Sequence, residues 1–114
     1  MGNDTVVIII GILAAIAIPT LLAARTRAYE AAAQSDLRNM AAAAVSCAAD
    51  NEGSYTGCDK AELRATYDYH ETDGVTSAGD AVDADTWEAT ASHDSGGREF
   101  EFSTTTGRVQ PVAP

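Results

Sequence analysis

The segment Gly11-Ile12-Leu13-Ala14-Ala15-Ile16-Ala17-Ile18-Pro19 lies inside Thr5–Ala24, a stretch of 20 residues without a charge. Twenty helical residues span about 30 Å, the thickness of a bilayer's hydrocarbon core. The stretch is therefore expected to be a helix built for apolar surroundings, and its middle is weakened. Pro19 has no N–H for the carbonyl of Ala15, and its ring crowds that carbonyl. Gly11 adds backbone freedom at a second point.

The Ala-rich segment that follows, Arg25–Ala49, has strong helix propensity. Tyr29, Ala33, Leu37, Met40, Ala44 and Cys47 recur at intervals of three and four, which places them on one face. Arg25, Arg27, Glu30, Gln34, Ser35, Asp36, Arg38 and Asn39 fill most of the remaining surface. A stop is expected at Asp50-Asn51-Glu52-Gly53, where Gly or Asn can take the left-handed cap conformation. One continuous helix would be about 45 residues, or roughly 70 Å, long. Globular helices average about 11 or 12 residues, so its first half must bury itself in something other than its own small domain. Three regions follow: residues 1–24, a hydrophobic half-helix; 25–52, an amphipathic half-helix; and 53–114, a small head.

Charge divides the chain in the same way. Residues 1–49 carry three acids and three bases; residues 50–114 carry 14 acids against Lys60, Arg64, Arg98 and Arg108, and hold the whole net charge of −10. An acidic head disfavours nucleic-acid binding, which needs clustered Lys and Arg for the phosphates. Solubility and repulsion between exposed surfaces account for such an excess.

Cys47 and Cys58 bracket Ala48–Gly57. A disulfide between them would tie the helix end to the first loop, contribute about 3 kcal/mol and require an oxidising compartment. Two free thiols are the alternative. No Cys-x-x-Cys-His haem motif is present, and two cysteines with two distant histidines do not make a zinc site.

In the head, Asp59 is placed to cap a short helix with Glu62 three residues on. Glu71–Asp85 is rich in Gly, Asp, Thr and Ser and reads as a loop. Trp87–Ser92 and Glu99–Ser103 alternate as strands around the turn signal Asp94-Ser95-Gly96-Gly97, and Arg108–Gln110 suits a short third strand. So small a sheet needs Leu37, Met40 and Ala44 of the helix as its floor. Trp87, Phe100 and Phe102 are the expected head core. The fold class is thus α+β: a long N-terminal helix, weakened between Gly11 and Pro19, packed on a small C-terminal antiparallel sheet.

The stretch Val6–Ala24, continued by Arg25-Thr26-Arg27-Ala28 and Gln34-Ser35-Asp36-Leu37-Arg38-Asn39, resembles the N-terminal helix of bacterial type IV pilins. The resemblance implies the major structural subunit of an extracellular pilus. Such a subunit is held in inner-membrane lipid and handled by the pilus assembly machinery, then polymerises with itself through the apolar helix. It further implies that Gly11 to Pro19 loses regular helix in the filament, so that the fibre can stretch. The family carries a glutamate nine residues before the helix glycine, where this chain has Gly2; Asp4 is the candidate for its role in subunit register. The family's methylated first residue falls before Met1. The only nearby charges are Asp4 before the apolar run and Arg25 and Arg27 after it, which by the positive-inside rule would put the head in the cytoplasm. An altered or wrongly assigned start is the expected account of the first two departures, and a missing basic leader that of the third.

Neither His70 nor His93 has a nucleophile motif beside it, so no enzyme and no cofactor are expected. Asp80, Asp83 and Asp85 lack the EF-hand spacing and read as a solvated loop. Tyr29 is the sole aromatic residue of the long helix, which argues against a stacked aromatic path for conduction. The alternatives to a pilus subunit are a pseudopilin of a type II secretion system and a membrane-anchored, monomeric extracytoplasmic binding protein.

Overall fold

The computed structural model describes residues 21–113 in full, with the helical backbone of α1 assigned from Gly2. The elements in chain order are α1 (Gly2–Asp50), α2 (Lys60–Thr66), β1 (Val75–Ala81), β2 (Trp87–His93), β3 (Phe100–Ser103) and β4 (Arg108–Pro111). A long N-terminal helix and a four-stranded antiparallel sheet make the protein α+β. The weakening expected between Gly11 and Pro19, and the register role of Asp4, lie outside the described residues.

α1 stops where the sequence places its cap, by a different residue. Gly53 N–H bonds back to Ala48 O at 2.7 Å, and the left-handed residues are Glu52 (φ 59°) and Gly53 (φ 86°). A side chain in this conformation costs energy that glycine avoids. Glu52→Gly is accordingly expected to stabilise the helix end by about 0.5–1 kcal/mol, read as a raised denaturation midpoint. α2 begins as expected: Asp59 Oδ1 accepts the N–H of Glu62 at 2.9 Å.

The sheet is a plain meander in the order β1-β2-β3-β4. Its register sets Gly79 opposite Ala89, Ala89 opposite Phe102, and Phe102 opposite Val109. The expected three strands are all present, and the segment Glu71–Asp85 is not a loop: β1 forms inside it and pairs along the whole of β2. Val75, Ser77 and Gly79 alternate on one face of β1 with the exposed Thr76, Ala78 and Asp80. The small inward residues hide the strand from a hydrophobicity pattern, yet the packing demands them. A Cβ on Gly79 would lie 2.5 Å from Met40 Sδ and 2.7 Å from Trp87 Cζ2, so bulk supplied by the neighbours replaces bulk on the strand.

One buried cluster gathers Ala33, Leu37, Met40, Ala44 and Cys47 of α1, Leu63 of α2, Tyr69, and Val75, Trp87, Ala89, Ala91 and Phe100 of the strands. Phe102 and Val109 are partly buried against it.

Candidate functional site

The distribution of exposure along α1 defines the surface of interest. From Leu21 to Ala28 every residue is exposed, with Leu21 at 53% and Leu22 at 59%. From Ala33 onward the spacing expected for an inner face holds: Ala33, Leu37, Met40, Ala44 and Cys47 are buried, while Arg38, Ala42, Val45 and Ala49 point outward. The head therefore covers one side of α1 from Ala33 onward and leaves residues 21–28 uncovered.

Besides the Tyr67 hydroxyl, which donates to Asp50 Oδ2 at 2.9 Å, three contacts fasten α1 to the head. Asp36, which its sequence position groups with the solvent-facing residues, is 2% exposed. It accepts the backbone N–H and the hydroxyl of Thr72, both at 2.7 Å. Both carboxylate oxygens are thus occupied, which offsets the cost of burying the group. Glu30 takes the backbone N–H of Arg98 at 2.9 Å and its Nε at 3.3 Å. Tyr29 stacks on His93 with ring centroids 4.3 Å apart.

A fourth network lies within the head. Glu71 accepts from Lys60 Nζ at 2.6 Å, from the N–H of Ser77 at 2.9 Å and from the Ser77 hydroxyl; Lys60 also donates to Ser77 O at 2.9 Å, and Tyr69 shares a 2.9 Å bond with Ser77 Oγ. Burial and the nearby carboxylates Asp36 and Glu71 push the Tyr69 phenol up. For Glu71, burial pushes the carboxyl up, and the Lys60 ammonium with the two Ser77 donors more than reverses it, leaving a value below 4.5. Glu30 is also held below 4.5, first by the Arg98 N–H, against partial burial, with the Arg98 guanidinium adding to the effect.

A carboxylate depressed in the folded state contributes stability that is complete above its unfolded value and is lost as pH falls through its folded value. Stability is thus expected to hold down to about pH 4.5 and fall below it as these groups protonate. The thermal midpoint of the full chain in detergent, followed from pH 7 to pH 3, checks this. Glu30→Gln should flatten part of the acid slope.

The sequence-derived site residues are placed as follows. Cys47 and Cys58 form a disulfide. Leu37, Met40, Ala44, Trp87 and Phe100 are buried, and Phe102 is half-buried with its ring centroid 6.1 Å from that of Trp87. Asp4 and Gly11, Ile12, Leu13, Ala14, Ala15, Ile16, Ala17, Ile18 and Pro19 lie outside the described residues. So does most of Thr5–Ala24. Among the described residues no helix is long and apolar enough to cross a membrane.

His70 is exposed beside Asp68 at 2.8 Å. His93 is the last residue of β2, and its Nδ1 accepts the N–H of Ser95 at 3.0 Å. Asp80 and Asp83 each accept a local backbone N–H, from Ala81 and Asp85 respectively. Among the described residues no group of three or more His, Cys, Asp or Glu is set to hold a metal ion. The outer face of the sheet forms an open groove of about 450 Å³ between Glu88, Thr90, Glu101, Ser103 and Gln110. The Asp36 anchor and the Tyr29–His93 stack escaped sequence reasoning, because each joins residues far apart in the chain.

No family model matches the chain, and no curated protein matches it.

Proposed function

We propose that this chain is the structural subunit of an extracellular filament of the type IV pilin kind, polymerising through its N-terminal helix. One observation carries the reading: α1 extends beyond its head with Leu21 and Leu22 more than half exposed, at the C-terminal end of an uncharged apolar stretch. A helix end of this kind gains stability only when something outside the subunit covers it. Copies of the same helix would do so, at about 25 cal/mol for each Å² of apolar surface removed from water. Before assembly, inner-membrane lipid would cover it, and the assembly machinery would draw it out.

Within this reading the inner face of α1 is the floor of the sheet, and the acidic head coats the fibre. The disulfide suits an oxidising exterior. The test is electron microscopy of material sheared from cells that express the full chain, with mass spectrometry of what is sheared. Long filaments that contain the chain are the expected result. Recovery solely as a detergent-bound monomer would overturn it and favour a membrane-anchored binding protein.

A further inference from the structure

The ionic residues of α1 are sorted in a way that its neutral composition conceals. Of the three described acids of α1, Asp36 is buried under Thr72 and Glu30 is tied to Arg98, while Asp50, at the C-terminal end, is exposed and accepts the Tyr67 hydroxyl at 2.9 Å. Its three arginines, Arg25, Arg27 and Arg38, are all exposed, and among the described residues none forms an ion pair with a carboxylate. Between Leu21 and Ala49 the free surface of α1 is therefore cationic. Arg27 and Arg38 are 11 residues apart, which puts them within about 20° of each other around the axis and roughly 17 Å apart along it. Between and beyond them the same outward stripe carries Ala31, Ser35, Ala42 and Val45. These short side chains let another surface come close.

The complementary feature is at the other end of the helix. The last turn of α1 contains no basic residue, so the chain itself supplies nothing to offset the partial negative charge of its terminal carbonyls. Asp50 ends that turn, and with Asn51, Thr56, Glu62 and Tyr67 it lines an open recess of about 240 Å³. Asp50 and Glu62 are both exposed; each accepts one neutral hydroxyl, from Tyr67 at 2.9 Å and from Thr66 at 2.8 Å, and among the described residues neither is in an ion pair.

We propose that the outward arginine stripe of α1, centred on Arg27 and Arg38, docks against the acidic C-terminal end of α1 in a second copy of this chain. The proposal deepens the filament reading and rests on it, naming the surface that sets subunit register. The two surfaces lie 12 to 23 residues apart along the helix, so the second copy is displaced by roughly 18–35 Å along the axis. A contact between two different patches of one chain, with successive copies displaced along the axis, does not close into a ring and generates an open helical array. An arginine presents five donors in a planar fork, which suits a carboxylate-lined recess. Because the pairs lie at the rim of the contact, association weakens as salt rises.

Charge reversal on the full chain tests this. Self-association in detergent is measured by sedimentation, and filament yield by electron microscopy. R27E/R38E alone and D50K/E62K alone are each expected to weaken association about tenfold or more. The four changes combined in one chain should restore it to near the wild-type level. Circular dichroism and an intact disulfide establish that each variant is folded, and D50N/E62Q provides a milder acid-side loss. Filaments that form equally well with either reversal, or a combined variant no better than its parents, would overturn the docking proposal and leave the filament reading standing. A wild-type chain that stays monomeric and yields no filament would overturn both. If R27E/R38E loses binding to phosphatidylglycerol vesicles while self-association is unchanged, the stripe faces lipid and the proposal fails.

Discussion

Trp87→Ala is expected to lower the unfolding free energy of the head by about 3–5 kcal/mol. Trp87 is fully buried at the start of β2, and its ring fills the space that the missing side chain of Gly79 leaves open. Its Nε1–H donates to the carbonyl of Cys58 at 2.7 Å. Truncation opens a cavity under the sheet and strips that carbonyl of its partner, so the two losses add. Trp87→Phe separates them: it keeps most of the ring and should cost about 1–2 kcal/mol, chiefly for the hydrogen bond. Denaturant unfolding of the full chain in detergent, followed by circular dichroism, measures both. A cost below about 1 kcal/mol for the Ala variant would mean that the ring does not organise the core. Small domains hold only about 5–15 kcal/mol in all, so the Ala variant should be close to unfolding at growth temperature.

Reduction of the Cys47–Cys58 disulfide, or its replacement by two serines, is expected to cost about 3 kcal/mol. The two cysteines are 11 residues apart, and the bond removes the freedom of that loop from the unfolded chain. It also holds the end of α1 beside the segment that leads into α2. Cys58 has a second role, because its carbonyl receives the Trp87 bond. Loss of the disulfide should therefore couple to loss of Trp87, and the double variant should fall short of the sum of the single effects. The check is the denaturation midpoint with and without reductant. An unchanged midpoint would contradict the expectation.

The proposed likeness to a type IV pilin rests chiefly on residues 6–39, with a weaker echo in the sheet of the head. This division has a physical basis. Helix periodicity and capping are written over intervals of three to five residues, so Leu37, Met40, Ala44 and Cys47 can be read as one face without knowing what lies against it. Phe100 and Phe102 alternate with Glu99 and Glu101 for an equally local reason. β1 obeys neither rule. Its inward residues are Val75, Ser77 and Gly79, and their small size makes sense only beside Met40 and Trp87.

From the sequence alone came the long helix, the side it turns inward, the place where it stops, the cysteine pair at loop-closing distance and the hairpin with its aromatic core. All of these rest on propensity and spacing within a few residues. Only the tertiary structure decided that Glu71–Asp85 contains a strand, that Asp36 is buried rather than solvated, and that Tyr29 meets His93. It alone showed that Arg25, Arg27 and Arg38 face out without a carboxylate partner among the described residues, while Glu30 and Asp36 are tied to the head. Asp36 and Thr72 are 36 residues apart, and Glu30 and Arg98 are 68 apart. No local pattern encodes such pairs, because the energy that orients those carboxylates comes from partners the folded chain brings to them.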